Sequence, residues 1–277
     1  MLKDVTLGQF FPGNSFLHKA DPRIKLVVLV VFMVFALLAQ NAASMVLVLG
    51  VTVALAVSSR IRFSVLLGSL KPVFFVLLFT GAINLFFTTG ETPLVEWWII
   101  TIYPEGIRTA VFMMIRLICL VAGSSILLSY TTSPLALTDA IESLFGPLRK
   151  IRVPVHEFAM MMTIALRFIP TLIEETDKII SAQKARGADF DDGGLIKKAK
   201  ALIPVLIPLF VSAFRRADEL AEAMECRCYR GGDGRTKLKV MKSRPSDYLF
   251  LLLFIALCVA IPFMNHYLSF TLGAFAL

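Results

Sequence analysis

The chain has 277 residues, 57% of them hydrophobic and only 17% charged, with a mean hydropathy of +0.77. A soluble domain carries about 25% charged and about 45–50% apolar residues, so the composition excludes an ordinary soluble domain and, with its long apolar runs, points to an integral membrane protein. The net charge of +8 does not describe a nucleic-acid surface: 19 of the 28 Lys and Arg and 14 of the 20 acids lie between residues 131 and 246. That mixed region with a basic excess suits the cytoplasmic side of a membrane, and no basic–aromatic motif accompanies it.

Residues 1–23 contain Asp4, Lys19, Asp21 and Arg23 and no apolar core of a cleavable signal, so the first membrane helix is expected to be retained. Asp21 is a good N-cap and Pro22 a good first helical residue, which predicts a helix from Pro22 to about Leu38. Gln40-Asn41 makes a turn, and a second apolar run covers Ala42 to Val57. Arg60, Arg62 and Lys71 form a basic loop without acids, an inside signal. A third run follows Pro72 to about Thr88. The stretch from Thr89 to Gly106 has Glu91, Glu96 and Glu105 but no Lys or Arg, and its Trp97, Trp98 and Tyr103 suit an outer interfacial belt. The fourth run, about Ile107 to Tyr130, carries Arg116 near its middle. A mid-membrane arginine costs about 2.5–3.5 kcal/mol on insertion scales. It makes a polar contact with protein, or it snorkels from a tilted helix; the residues leave both open.

After Thr131-Thr132-Ser133-Pro134 the pattern turns amphipathic. Residues 135–148 read as a short helix stopped by Gly146-Pro147. The next helix starts near Pro154, is apolar from Phe158 to Ile173 apart from Arg167, should kink at Pro170, and ends at Gly187. Its sixteen-residue apolar part is short for a span of about 20 residues. Asp189 to Gly194 make a solvated loop. A further helix begins around Lys197, is apolar from Ala201 to Phe214 despite Pro204 and Pro208, then becomes charged, with Arg215 and Glu219 at i,i+4. Gly231-Gly232 is its expected stop. The last run, Tyr248 to Phe263, follows a basic flank and precedes a tail without formal charge.

This predicts an all-α integral membrane protein with about five transmembrane helices, the N-terminus inside and the C-terminus outside. Residues 1–130 hold four spans, 131–246 form a cytoplasm-facing module of two to three long amphipathic helices, and 247–277 hold the last span. A seven-helix alternative would put three lysines of the Asp189–Lys200 loop outside, against the charge bias.

The two long helices of the module end alike. Asp177 to Arg186 overlays Asp218 to Arg227 without a gap. Seven residues make about two turns, so Arg186 shares a face with Ile179 and Ala182, and Arg227 with Leu220 and Ala223. Such a tip suits docking into a groove that offers a carboxylate or carbonyls. A C-terminal arginine also simply complements a helix dipole; two of them in one module favour docking.

Other chemistry is missing. Gly231 to Lys237 lacks the spacing of a phosphate loop, His18, His156 and His266 are scattered, and no nucleophile elbow occurs. Cys226-x-Cys228 has no second ligand pair, so no metal site is expected; Cys119 and Cys258 read as small core residues. A secondary transporter or channel not coupled to ATPases would need repeats or midplane ion ligands, and only Asn84 and Arg116 stand in the spans.

Taken together, His18 with Asp21-Pro22-Arg23, Thr132-Ser133-Pro134, Arg167-Phe168-Ile169-Pro170, Ala185-Arg186-Gly187 and Cys226-Arg227-Cys228-Tyr229-Arg230-Gly231 resemble the transmembrane T component of energy-coupling-factor transporters, the EcfT/CbiQ family. They cover nearly the whole chain in order. The second short motif departs from the family's usual Ala-Arg-Gly or Ala-Arg-x-Tyr, since Cys226 and Cys228 flank its arginine. The resemblance implies a scaffold, not an enzyme, in the bacterial or archaeal cytoplasmic membrane. It couples two cytoplasmic ABC-type ATPases, which use the ATP and Mg, to a small membrane S component that binds a vitamin or transition-metal ion. It places the ATPase contacts at Ala185, Arg186, Gly187, Cys226, Arg227 and Cys228. It gives Asp21, Pro22, Arg23, Arg167 and Pro170 a structural role. It makes the apolar runs, with Phe158, Met161, Met162, Leu206 and Phe210, the S-component and lipid surface.

Overall fold

A computed structural model describes residues 10, 11, 13–90, 95–97, 100–188, 190, 194–232, 241 and 243–271. Asp191, Asp192 and Gly193 of the acidic loop, Trp98, and the basic stretch 233–240 lie outside these, as do the side chains of Glu96 and Trp97. The described residues divide into two compact units, one from the stretches 8–140 and 240–277, the other from 141–239.

In the first unit, α1 (Phe16–Lys19) leads into α2 (Pro22–Leu38), α3 (Ala42–Ser59), α4 (Phe63–Leu70), α5 (Phe74–Phe87) and α6 (Pro104–Ser124). The final turns of α6 continue as a π-helix, Ser125–Tyr130, and α10 (Pro245–Thr271) completes the bundle. A small antiparallel hairpin, β1 (Val95–Trp97) and β2 (Ile100–Ile102), lies between α5 and α6. The start of α2 is as predicted: the Asp21 carboxylate accepts the Arg23 N–H at 2.9 Å, with Pro22 as the first helical residue. Asn41 opens α3, its N–H donating to Ser44 Oγ at 3.0 Å. The predicted basic loop 60–71 is a loop only at its ends. Phe63–Leu70 is helical and joins α5 through a 3-10 turn, Lys71–Val73, because its run of apolar residues and serines has nothing to break it before Pro72.

The core of this unit is the apolar stripe shared by α2, α3, α6 and α10. Val28, Phe32, Val48, Cys119, Ile126, Leu127 and Ile261 are almost wholly enclosed, and the Phe32 and Phe254 rings lie 6.4 Å apart. In a bilayer the lipid tails are as apolar as these side chains, so the enclosed stripe holds by close packing and not by transfer from water. The outward faces stay apolar, with Phe75, Leu78, Phe79 and Phe87 of α5 exposed, the inverse of a soluble bundle.

Arg116 makes the interhelical contact. Its guanidinium donates to the carbonyl of Ala39, the C-cap of α2, and lies 5.0 Å from the centre of the Phe112 ring. Asn265 Nδ2 of α10 donates to Leu38 O at 2.7 Å. A cation and an amide thus cover orphan carbonyls at the negative end of the α2 dipole.

The other unit contains the last turn of α7 (Pro134–Leu144), a 3-10 segment Gly146–Ile151, and two long helices, α8 (Val155–Ala185) and α9 (Leu195–Cys226). Both run unbroken through internal prolines, Pro170 in α8 and Pro204 and Pro208 in α9.

Among the described residues, five stretches are long and apolar enough to cross a membrane: Ala42–Ser59, Phe63–Phe87, Pro104–Tyr130, Val155–Ala185 and Pro245–Asn265. The number matches the sequence reading, but the membership differs. At 17 residues α2 is about 25 Å long and falls just short, whereas α8 qualifies because it continues well past the sixteen-residue run that looked too brief.

Candidate functional site: two arginine-capped helix ends and a buried polar cap

The backbone closes α8 and α9 in the same way. At the end of α8, Gly187 N–H donates to Lys184 O and Ala188 N–H to Gln183 O, both at 3.0 Å. At the end of α9, Cys228 N–H donates to Glu225 O at 2.8 Å and Tyr229 N–H to Met224 O at 3.0 Å. This 6→1 and 5→2 pair is a Schellman motif. Arg186 and Arg227 are the two C-caps, and the residue after each is left-handed: Gly187 at φ +86° and Cys228 at φ +56°. The expected stop at Gly231 is therefore misplaced. Gly231 is also left-handed, at φ +85°, but α9 has already ended at Cys226. Cys228 takes the place that glycine has in α8, at a cost of roughly 1–2 kcal/mol for a residue with a Cβ.

Ala185, Arg186, Gly187, Cys226, Arg227 and Cys228 are all exposed. Among the described residues neither guanidinium has a hydrogen bond or ion pair, so each tip presents five N–H donors outward.

The helices pack antiparallel. Arg216 Nη2 of α9 donates to Glu175 Oε2 of α8 at 2.9 Å, and the Ser212 hydroxyl donates to Glu175 Oε1. Beyond the end of α9, Gly232 lies against the His156 ring at the start of α8, where a Cβ would come within 2.7 Å. His156 Nδ1 is 2.9 Å from Glu142 Oε1. The i,i+4 spacing suggested Arg215 with Glu219; the ion pair instead uses the next arginine and crosses to the other helix. Because the helices are antiparallel, the two arginine tips do not converge. Each is eleven residues beyond the Glu175–Arg216 contact, about 16 Å of helix, on opposite sides of it. Phe158, Met161 and Met162 on α8, and Leu206 and Phe210 on α9, are exposed and likewise fall on opposite sides of that contact. Arg167 and Pro170 are exposed on α8.

In the first unit the remaining motif pieces meet. Lys25, fully buried, donates through Nζ to Thr131 O at 2.8 Å and to Thr132 Oγ1 at 3.3 Å. Ser133 Oγ accepts the Ala136 N–H at 3.3 Å and starts α7, with Pro134 as its first residue. The Ser243 hydroxyl donates to Asp21 Oδ2 at 2.6 Å. Buried Asp247, in the first turn of α10, accepts the Arg244 N–H at 3.0 Å. His18 Nδ1 is 2.6 Å from Ser15 Oγ, and its Nε2 is 2.9 Å from Phe11 O. Sequence reasoning found Asp21, Pro22 and Arg23 here but missed Lys25, Ser243 and Asp247. A lysine one turn into an apolar helix that starts with aspartate was the available signal.

The chain is similar to known proteins over most of its length. Residues 13–238 match the family model CbiQ, described as cobalt transport protein. The chain is 55% identical over 249 residues to the energy-coupling factor transporter transmembrane protein EcfT of Ruminiclostridium cellulolyticum, covering 90% of this chain and 92% of that one. It is 49% identical over 263 residues to the EcfT of Clostridium kluyveri, covering 94% and 97%. It is 50% identical over 261 residues to the EcfT of Brevibacillus brevis, covering 94% and 98%.

Proposed function

Because this chain belongs to the EcfT/CbiQ family of energy-coupling factor transporter transmembrane proteins, we propose that it is the coupling subunit of an importer, with α8 and α9 as the coupling helices. Two cytoplasmic ATPases dock on the Arg186 and Arg227 tips, and nucleotide-driven closure moves the helices. Their apolar faces hold a small S component that brings a vitamin or transition-metal ion across the membrane. ATP and Mg are handled by the ATPases, and this chain serves as scaffold. On this reading it is a multi-pass protein of the cytoplasmic membrane with its N-terminus inside and its C-terminus outside.

One observation carries the proposal: two helices with the same C-terminal cap each present an exposed arginine without a partner among the described residues, and they point it in opposite directions. A helix-dipole role would explain either alone. It does not explain why, among the described residues, neither guanidinium has a carboxylate or carbonyl partner while Arg216 of α9 is engaged. Replacing Arg186 and Arg227 together with alanine should abolish co-purification of the ATPases and ATP-dependent uptake while membrane insertion is normal. Wild-type recovery of the ATPases with the double variant would sink the reading.

A further inference from the structure

We propose that the first turn of α2 is a clamp that holds the two segments flanking the 141–239 unit in sequence, 131–133 and 243–247, with Lys25 and Asp21 as its positioning residues. In sequence the 141–239 unit is flanked by two described segments of the first unit, the α7 start around 131–140 and the α10 start from 243. The passage at 140–141 falls inside α7, and Thr132 lies eight residues before it. Each flanking segment is fastened to α2. Lys25 takes the main-chain carbonyl of Thr131 and the Thr132 hydroxyl. Asp21, one turn earlier on the same helix, takes the Ser243 hydroxyl.

The fastenings are not independent. Asp21 and Asp247 both act electrostatically on the Lys25 charge, and Lys25, Asp21, Asp247, Thr131 and Thr132 are all buried. Ser133 and Asp247 hold the first turns of the helices that leave the clamp, α7 and α10. A displacement entering through either of these flanking segments therefore meets the same turn of α2, whose far end is held by Arg116 and Asn265. The buried polar cap is thus the place where movement of the coupling helices is passed to the bundle. This rests on the coupling role proposed above.

The test is hydrogen–deuterium exchange of the assembled complex, without nucleotide and with ATP and vanadate, for wild type, Lys25→Met, Ser243→Ala and Ser243→Thr. In wild type, nucleotide should change exchange at the ends of α8 and α9 and also in peptides covering α2. In Lys25→Met and Ser243→Ala the ATPases should remain bound and the change at α8 and α9 should persist. The change in α2 should shrink at least about threefold, and nucleotide-free exchange at 131–133 or 243–247 should rise about tenfold as the local opening becomes easier. Ser243→Thr should restore the α2 response. An α2 response that survives in both Lys25→Met and Ser243→Ala overturns the clamp while leaving coupling intact. No nucleotide effect at α8 and α9 in wild type overturns the coupling role, and the clamp with it. If Lys25→Met does not assemble, the Ser243→Ala and Ser243→Thr pair decides alone, since their side chain stands outside the helices.

Discussion

Glu175 and Arg216 are ion-paired at 2.9 Å, and they stand at the same position of two aligned segments, eleven residues before Arg186 and Arg227 respectively. The contact joins equivalent points of the two helices, so the arms beyond it are of equal length and carry the same cap. A local two-fold relationship follows, in which one helix supplies the acid and the other the base.

The pair should set how the arms cross. Its side chains are 23% and 36% exposed, so it is worth about 0.5–1 kcal/mol, not the larger figure of an enclosed pair. Spin labels at Gln183 and Glu225, with Cys226 and Cys228 replaced by serine, should give a narrow distance distribution. Glu175→Gln should broaden it, and Glu175→Arg with Arg216→Glu should narrow it again. No change with Glu175→Gln would mean that apolar packing alone fixes the crossing.

The two left-handed caps should respond oppositely to substitution. Gly187→Ala puts a Cβ at φ +86° and should weaken the last turn of α8 by about 1 kcal/mol. Cys228→Gly relieves the same conflict in α9 and should strengthen its last turn by up to about 1 kcal/mol. Amide exchange at 183–188 and 224–229 reads both, as changes of about fivefold in protection in opposite senses.

Single arginine variants should act on one arm each. If each tip holds one ATPase, Arg186→Ala alone and Arg227→Ala alone each leave one ATPase copy per chain where the wild type retains two, by mass of the purified complex. Loss of both copies from one substitution would show that the tips act jointly.

Arg116 should matter for stability in the bundle. Arg116→Ala leaves the Ala39 carbonyl without its donor and should cost about 1–3 kcal/mol. Phe112→Leu, which removes only the ring beneath the cation, should cost about 0.5–1 kcal/mol beyond lost packing. Thermal unfolding in detergent distinguishes the two, and equal losses would assign Arg116 to ring stacking rather than to the α2 terminus.

Topology can be checked at the turn between the long helices. Since α8 is long and apolar enough to cross a membrane, the side on which Gly194 lies is informative. Gly194→Cys should react with a membrane-impermeant maleimide only from the cytoplasm. Labelling from outside would make α8 and α9 a spanning hairpin and remove the basis for coupling helices.

How far the sequence reached follows local chemistry. The bounds of α2 were legible because Asp21-Pro22 is a cap followed by a first-turn proline and nothing interrupts the apolar run to Leu38. The end of α8 was legible because Gly187 is the residue a left-handed position favours. The end of α9 was not, because a cysteine occupies that position and Gly231 further on supplies a more ordinary stop. Helix α4 was hidden by the charges of Arg60, Arg62 and Lys71 around it. The contacts of Lys25 and Asp21 lie more than a hundred residues away in sequence, and no spacing rule connects them. The Glu175–Arg216 pair was within reach, since the gapless overlay that aligns the arginines also aligns these two residues.

The cysteine at the α9 cap makes the two arms chemically unequal. Cys226 and Cys228 are exposed, whereas Cys119 and Cys258 are enclosed in the bundle, and no cysteine lies near Arg186. A thiol reagent added to the unaltered chain would therefore mark one arm and spare its counterpart. The symmetric pair of tips carries its own one-sided label, and the occupancy of the α9 arm can be followed without altering the α8 arm.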